Sequence, residues 1–413
     1  MGVRAAMHQV GGVLLEELVN ADGGGYRGPH LPCGQGHQAA FVGYRRKEVL
    51  TVLAPVPIQR AYYRCARCGG GVIPKDQALD IVGTAFSPGV RRLMGRVGGK
   101  EAFAAGRRDL EELAGVVVRT KAVERVAEAL GQQIETRAAQ EQAAVFAGKV
   151  VPLKPVSTLY IAIDGTGVPV VPHETEGRPG KDETGRARTR EAKLGCVFTQ
   201  TRSDDRGRPI RDDASTTYVG AIEPAEAFGR RLYAEAVRRG LPRAARVIVL
   251  GDGAPWIWNL VAEHFPGGVQ IVDLYHAREH LTALGKLVYG PASAAAKAWA
   301  AACCAQLDAG NVEGVLAAMG RLRPRGAEAQ GEVRRAIGYF QTNAARMRYT
   351  GFRREGFFVG SGVVEAGCKT IIGLRLKQSG MRWTVRGANA IIALRCADLS
   401  GRWEEFWEAR AAG

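Results

Sequence analysis

The sequence predicts an α/β protein on a mixed sheet, preceded by a small β module and a helical region and interrupted by an all-helical insertion. Three observations carry that expectation. Two apolar runs, Ile161-Ala162-Ile163 and Val247-Ile248-Val249-Leu250, each deliver an aspartate followed at once by glycine. Strand and helix patterns alternate from Leu159 to Asp273. Near the N-terminus, two cysteine-containing turns bracket alternating strand patterns.

The chain has 413 residues, enough for several domains around one dominant core. It is 46% hydrophobic and 24% charged, as in ordinary globular proteins, and no apolar run approaches the roughly 20 residues that span a bilayer. No membrane association is expected. The first ten residues lack a signal-peptide apolar segment, which predicts a cytoplasmic, nucleoid-associated protein. Lys and Arg number 57 against 41 Asp and Glu, a net +16 that favours a polyanionic partner, nucleic acid first. The eight cysteines, in a chain read as cytosolic, are expected as thiols or metal ligands.

Residues 1–30 read as an N-terminal arm with a helical stretch from Val13 to Val19 and a break at Gly23 to Gly25. Residues 31–87 read as a zinc-ribbon-like module of β-hairpins, including Phe41 to Tyr44, Val49 to Leu53 and Ala61 to Arg64. From residue 88 to 150 the pattern is helical; two helices joined through Gly115 and followed by Arg119 to Leu130 give a helix-turn-helix-like DNA-binding region. Pro152 and Pro155 mark a linker.

Residues 156–276 form the expected core. Strands Leu159 to Ile163, Leu194 to Thr201 and Thr216 to Ile222 precede an amphipathic helix, Pro224 to Arg239; a strand to Leu250, a helix through Val261 and a strand from Val269 follow. That order, β-β-β-α-β-α-β, is that of a ribonuclease-H-like mixed sheet. Residues 277–356 read as the helical insertion, and residues 357–413 as the C-terminal part of the core, its helix from Val363 carrying Glu365.

The first strand is expected to end on Asp164 and the later one on Asp252, so both acids should face one site at the carboxyl ends of neighbouring strands. The glycine after each lets backbone, metal or phosphate approach closely. Glu365, with Ser361 as N-cap, supplies a third acid in a first helical turn. Three carboxylates are hard ligands suited to two Mg²⁺ ions, with Mn²⁺ as the alternative, about 4 Å apart for phosphodiester chemistry. Each acid alone has a bland alternative as a turn former or helix-dipole partner; their joint order and placement favour the metal triad.

The segments Ile163-Asp164-Gly165-Thr166-Gly167-Val168-Pro169, Gly251-Asp252-Gly253-Ala254-Pro255-Trp256-Ile257-Trp258, Asp273-Leu274-Tyr275-His276 and Gly360-Ser361-Gly362-Val363-Val364-Glu365 resemble those of ISKra-type insertion-sequence transposases, a bacterial group related to the Mutator-like superfamily. The cysteine-containing N-terminal module, Met381-Arg382-Trp383 and Arg402-Trp403-Glu404-Glu405-Phe406-Trp407 extend the resemblance over nearly the whole chain. It implies excision and insertion of a mobile element: water attack at the element's ends, then attack of the freed 3′ hydroxyl on target DNA. Implied partners are terminal inverted repeats and target DNA, bound by a homodimer. The alternatives are a Holliday-junction or repair nuclease on the same fold, and a non-catalytic DNA-binding protein derived from a transposase.

Asp273 and His276 match the acid-x-x-His motif of that group; Asp273 could fix the tautomer of His276, or the two could be a structural strand-end pair. Lys369, one turn after Glu365, is a candidate phosphate contact or simply its i,i+4 partner. Arg375, Lys377, Arg382 and Arg386, interrupted by Trp383, form a basic stretch suited to DNA backbone contacts and base stacking. Of Trp256 and Trp258, two positions apart, one is expected in the core and Trp256 is a candidate DNA contact. Cys33, His37, Cys65 and Cys68 are the expected tetrahedral Zn²⁺ ligands, with His30 competing for the place of His37. Cys196, Cys303, Cys304, Cys368 and Cys396 read as buried thiols.

Overall fold

The computed structural model describes residues 2–150, 155–180 and 185–411, so Pro152 of the expected linker lies outside the described residues. The chain divides into two compact units, Met1–Leu130 and Gly131–Gly413.

In the first unit a helix, α1 (Val3–Asn20), precedes an antiparallel sheet of β1 (His30–Pro32), β2 (Gln38–Leu50), β3 (Pro55–Arg64) and β4 (Gly71–Val72), in that spatial order. The helix is longer than the predicted Val13 to Val19 stretch, and it is not a detached arm. Leu15 and Val19 pack on buried Val49, Val56, Ile58 and Ile81, and a Cβ at Gly12 would lie 2.7 Å from the Ala54 methyl. Only a glycine permits that approach. The β2–β3 turn is closed by Thr51 Oγ1, which accepts from the backbone N–H groups of Leu53 and Ala54 and donates to the Ala54 carbonyl. Leu50 pairs with Pro55, so the strand predicted to reach Leu53 stops at Leu50.

After a short helix, α2 (Pro74–Ala78), come α3 (Pro88–Lys100) and α4 (Phe103–Ala114). Ser87 caps α3 by accepting from the Val90 N–H, and Pro88 occupies the first turn, where its missing N–H costs nothing. Gly115, at φ 68°, terminates α4, and α5 (Thr120–Phe146) follows. Val90, Met94, Leu110, Val116 and Val123 form the shared core of these helices. The helix–glycine–helix layout is present, although Asp109 to Ala114 is the end of one helix rather than a short separate one.

The second unit is a mixed five-stranded sheet with helices. Its strands are β5 (Val156–Pro169), β6 (Thr189–Gln200), β9 (Thr217–Ala221), β10 (Ala244–Gly251) and β11 (Val269–Val272); β7 (Arg202–Ser203) and β8 (Pro209–Ile210) form a separate two-stranded ribbon. The spatial order is β11-β10-β5-β6-β9, with β10 parallel to both β5 and β11 and with β6 antiparallel to both β5 and β9. Helices α6 (Ala225–Arg238) and α7 (Pro255–His264) follow β9 and β10.

Because directly opposed residues of an antiparallel pair share a face, Tyr160, Ala162, Asp164, Leu194, Cys196 and Phe198 lie on one side of the sheet and Ile161, Ile163, Gly165, Lys193, Gly195 and Val197 on the other. On the first side Tyr160 stacks on Phe198 at 4.8 Å, capped edge-on by Phe358. On the second, a Cβ at Gly195 would collide with Leu232 of α6 at 2.7 Å. Residues 159–163 are at most 1% exposed, and each buried side chain of this size contributes about 1.5–3 kcal/mol.

Helices α8 (Leu274–Tyr289), α9 (Ala294–Asp308), α10 (Val312–Gly320), α11 (Ala327–Asn343) and α12 (Tyr349–Arg354) form the all-helical insertion. It begins at Leu274, three residues before the expected boundary, because Asp273 caps α8 instead of ending a strand. The helix carrying Glu365, α13 (Gly362–Gly367), runs into a π-helical turn (Cys368–Gly373) and α14 (Leu374–Leu376); α15 (Val385–Leu399) and α16 (Trp403–Ala411) follow, so α13 is not the last helix. Among the described residues no helix is long and apolar enough to cross a membrane.

Candidate active site and metal centre

In the first unit, two reverse turns present the sulfur and nitrogen ligands. The Cys33 N–H donates to the His37 carbonyl and the Gly36 N–H to the Cys33 carbonyl; in the second turn the Cys65 N–H donates to the Gly70 carbonyl and the Gly69 N–H to the Cys65 carbonyl. These bonds aim four side chains inward. Cys33 Sγ lies 3.8 Å from Cys68 Sγ, and Cys65 Sγ lies 3.8 Å from His37 Nδ1. Ligand atoms of all four lie within 4.8 Å of one another, so the set could hold a structural metal such as zinc. His37, not His30, completes it; His30 sits on β1 opposite Ala40. The backbone N–H of Cys68 is the main influence drawing the Cys65 thiol down to about 6, against the opposing effect of burial. A thiolate at neutral pH is the form that binds metal.

In the second unit, β5 does not end on Asp164. It continues to Pro169, because β6 pairs with it from Gln200 back to Thr189 while the parallel neighbour β10 stops pairing at Ala162. Asp164 therefore stands at the step where β5 outruns β10, and Asp252 follows β10 directly. Asp164 Oδ1 accepts from the Gly165 N–H at 2.7 Å, and Asp252 Oδ1 from the Ala254 N–H at 2.8 Å.

Burial is the largest cause raising the Asp164 carboxyl above the ordinary 3.8. The Cys368 thiol, the Gly165 N–H and the His276 charge oppose it, and the Asp252 charge adds to it. Asp164 is thus within electrostatic reach of both Asp252 and His276. A carboxyl whose pKa is raised on folding stabilises the fold when protonated. That contribution is full below about 3.8 and lost as pH rises through the raised value. In a chelator, Asp164→Asn should raise the thermal midpoint at neutral pH, and the gain should vanish in acid; an unchanged neutral midpoint counts against a desolvated carboxylate.

Glu365 approaches from α13. Its Oε1 accepts from Ser361 Oγ at 3.2 Å, so Ser361 does not use its hydroxyl as the expected N-cap. Its N–H instead donates to Asp273 Oδ2. Three residues past Glu365, the buried Cys368 thiol is near enough to Asp164 to oppose the rise of its carboxyl, and burial with the Asp164 charge pushes the thiol itself up. Among the described residues the Cys/His set is the group of three or more His, Cys, Asp and Glu side chains close enough to share one ion. The three acids are not such a group: Asp164 and Asp252 each accept from a neighbouring backbone N–H, and Glu365 accepts from Ser361.

Asp273 is fully buried and serves the backbone. Its Oδ1 accepts from the His276 N–H at 2.6 Å, its own N–H donates to the Gly251 carbonyl at 2.8 Å, and its Oδ2 holds Ser361. It therefore ties the end of β10, the start of α8 and the entry to α13 together. It does not fix the His276 tautomer: that ring has His280 Nε2 at 3.1 Å and Glu279 at 3.8 Å.

Sequence reasoning missed His280 and Tyr339. His280 lies four residues after His276, on the same helical face, a signal that was available. Tyr339, on α11, stacks on His280 at 4.5 Å and donates to the Asp252 carbonyl at 2.7 Å. Gly253, at φ 98°, leaves the space that this ring occupies: a Cβ there would lie 2.5 Å from it.

The basic stretch divides. Lys369, Lys377, Arg382 and Arg386 are exposed. Lys377 donates to Thr166 Oγ1 beside Asp164, and Arg386 donates to Gln132. Arg375 and Trp383 do not belong to that exposed surface: Arg375 is fully buried with its guanidinium 4.9 Å from the Trp383 ring, and the Trp383 indole N–H donates to the Leu376 carbonyl. Packing of one on the other buries both. Lys369 makes no ion pair with Glu365 among the described residues. Trp258 is buried under Arg346, while Trp256 is half-buried between Phe228 and Lys193. No protein-family model matches the chain, and no curated protein matches it significantly.

Proposed function

We propose that this chain is a DNA transposase of the Asp-Asp-Glu type on a ribonuclease-H-like core, similar to the ISKra group, with Asp164, Asp252 and Glu365 as its metal-binding acids. The observation that carries the reading is the placement of Asp164 just past the last β5–β10 pair and of Asp252 just past the end of β10, with Asp164 within reach of the Asp252 charge. The sheet order, with two parallel contacts centred on β10 and an antiparallel β5–β6–β9 arm, supports the fold assignment.

The donor set is all carboxylate oxygen, and Asp164 is a desolvated acid beside a second negative charge, an arrangement that divalent cations relieve. Mg²⁺ or Mn²⁺, when bound, supplies activation of the attacking oxygen and charge neutralisation at the leaving one. Asp164 and Asp252 would hold the cations as the better-fixed ligands, and Glu365, whose Oε1 accepts from Ser361 Oγ, would be the third. Asp273 positions the Glu365 helix, Tyr339 braces the Asp252 backbone, and Lys377 stands at the rim for a phosphate. Zinc organises the β module, and the helices through Gly115 contribute to binding the element's terminal repeats. Two protomers on DNA would pair two ends.

Purified protein with Mg²⁺ and a DNA carrying the inverted repeats that flank its coding sequence should cleave at the repeat ends and join the 3′ ends to a target. Symmetric nicking of four-way junctions without end joining would instead favour a junction nuclease, and binding without any cleavage a non-catalytic protein.

A further inference from the structure

We propose that a basic cavity beyond the end of β5 is a second DNA-contact site, holding the phosphodiester backbone of DNA that extends away from the acids; this rests on the nuclease reading above. The cavity measures about 1320 Å³, and its wall carries Arg178, Arg186, Arg188, Arg382 and His173 against one carboxylate, Glu176, among its described residues. The arginines come from two distant parts of the chain: Arg178, Arg186 and Arg188 from the segment after β5, and Arg382 from the segment after α14. Arg178 and Arg382 make no ion pair among the described residues.

The cavity is braced by backbone. The Val171 N–H donates to the Trp383 carbonyl at 2.9 Å and the Trp383 N–H to the Pro169 carbonyl at 3.1 Å. Glu174 turns its carboxylate to the Val385 N–H at 2.9 Å, and its carbonyl accepts from Arg190. The burial of Trp383 thus has a purpose that the DNA-stacking expectation missed: it fixes the segment that presents Arg382.

The position along the strand fits a substrate path. β5 leads from Asp164 to Pro169 at the cavity mouth, a span of about 17 Å at roughly 3.4 Å per residue, with Lys377 on Thr166 between them. That is about five base-pair steps of B-form DNA. Guanidinium groups suit phosphate oxygens, which they bind in a bidentate fork.

The test is binding of a labelled duplex oligonucleotide to the full chain in buffer without Mg²⁺ or Mn²⁺, titrated with salt. The double variant Arg178→Gln/Arg382→Gln should flatten the slope of log affinity against log salt by about 1.8, the expected loss for two phosphate contacts. A charge-matched control on the helical insertion, Arg325→Gln/Arg334→Gln, should change it by less than about 0.5. An unchanged slope in the cavity variant, or equal flattening in the control, would overturn the proposal. Binding without Mg²⁺ or Mn²⁺ does not require cation loading of the acids, whereas cleavage assays of Asp252 variants test those alone, so either reading can fail without the other.

Discussion

Asp252→Asn is expected to abolish both DNA cleavage and strand joining, by at least about a thousandfold, while the protein still binds its DNA ends. The magnitude follows from the role: removing one charged ligand of a two-cation site cripples both halves of the reaction at once, and groups that act as a unit fail together. The substitution is nearly isosteric. Asparagine keeps the Oδ1 that accepts from the Ala254 N–H, and the Tyr339 hydroxyl bonds the backbone carbonyl of this residue, not its side chain. Folding should therefore survive, with an unchanged circular dichroism spectrum. Gel analysis of end cleavage and of joining from pre-cut ends reads the two steps separately. Persistent cleavage by the purified variant would remove Asp252 from the mechanism.

The second large effect concerns the N-terminal unit. Cys65→Ser should reduce bound zinc, measured by metal analysis, from one per chain to none, and should lower the thermal midpoint markedly. Strong chelation of the wild type should do the same. Metal binding in such a set is coupled to folding, because the ligands converge only in the native state. The damage should be local. Cys33, Ala39, Ala61, Tyr63 and Cys65 form one small core, whereas α1 and α3–α5 pack around separate ones. Hydrogen exchange should rise first at Ala39 and Tyr63. Wild-type protein free of zinc, with a midpoint indifferent to chelators, would show a metal-free hairpin instead.

What the sequence made legible depended on local signals. The apolar runs into Asp164 and Asp252 marked their strands, because β-branched and aliphatic residues bounded by glycine say strand without reference to anything distant. The Cys-x-x-Cys turn marked the metal set for the same reason. The end of β5 was not legible: its last residues are held by a partner strand at least 20 residues later and by the distant Trp383 backbone. Nor could composition disclose that Arg375 is buried, since an arginine reads as exposed until an indole ring is found over it. The bond from Tyr339 to Asp252 spans 87 residues and belongs to tertiary packing alone. Of the two roles the sequence left open for Asp273, fixing the His276 tautomer or a structural part at the strand end, the structure shows a structural one, as the cap of α8. A carboxylate one position before a helix caps backbone more readily than it orients a ring.

The central claim is that three acids share divalent cations, and Glu365 is the member that the fold holds least directly, through Ser361 and Cys368. Manganese binding followed by electron paramagnetic resonance tests it most directly. Two Mn²⁺ per chain are expected for the wild type, with weakened or lost binding in Asp164→Asn, Asp252→Asn and Glu365→Gln alike. A Glu365→Gln protein that binds Mn²⁺ with the stoichiometry and affinity of the wild type would contradict the account.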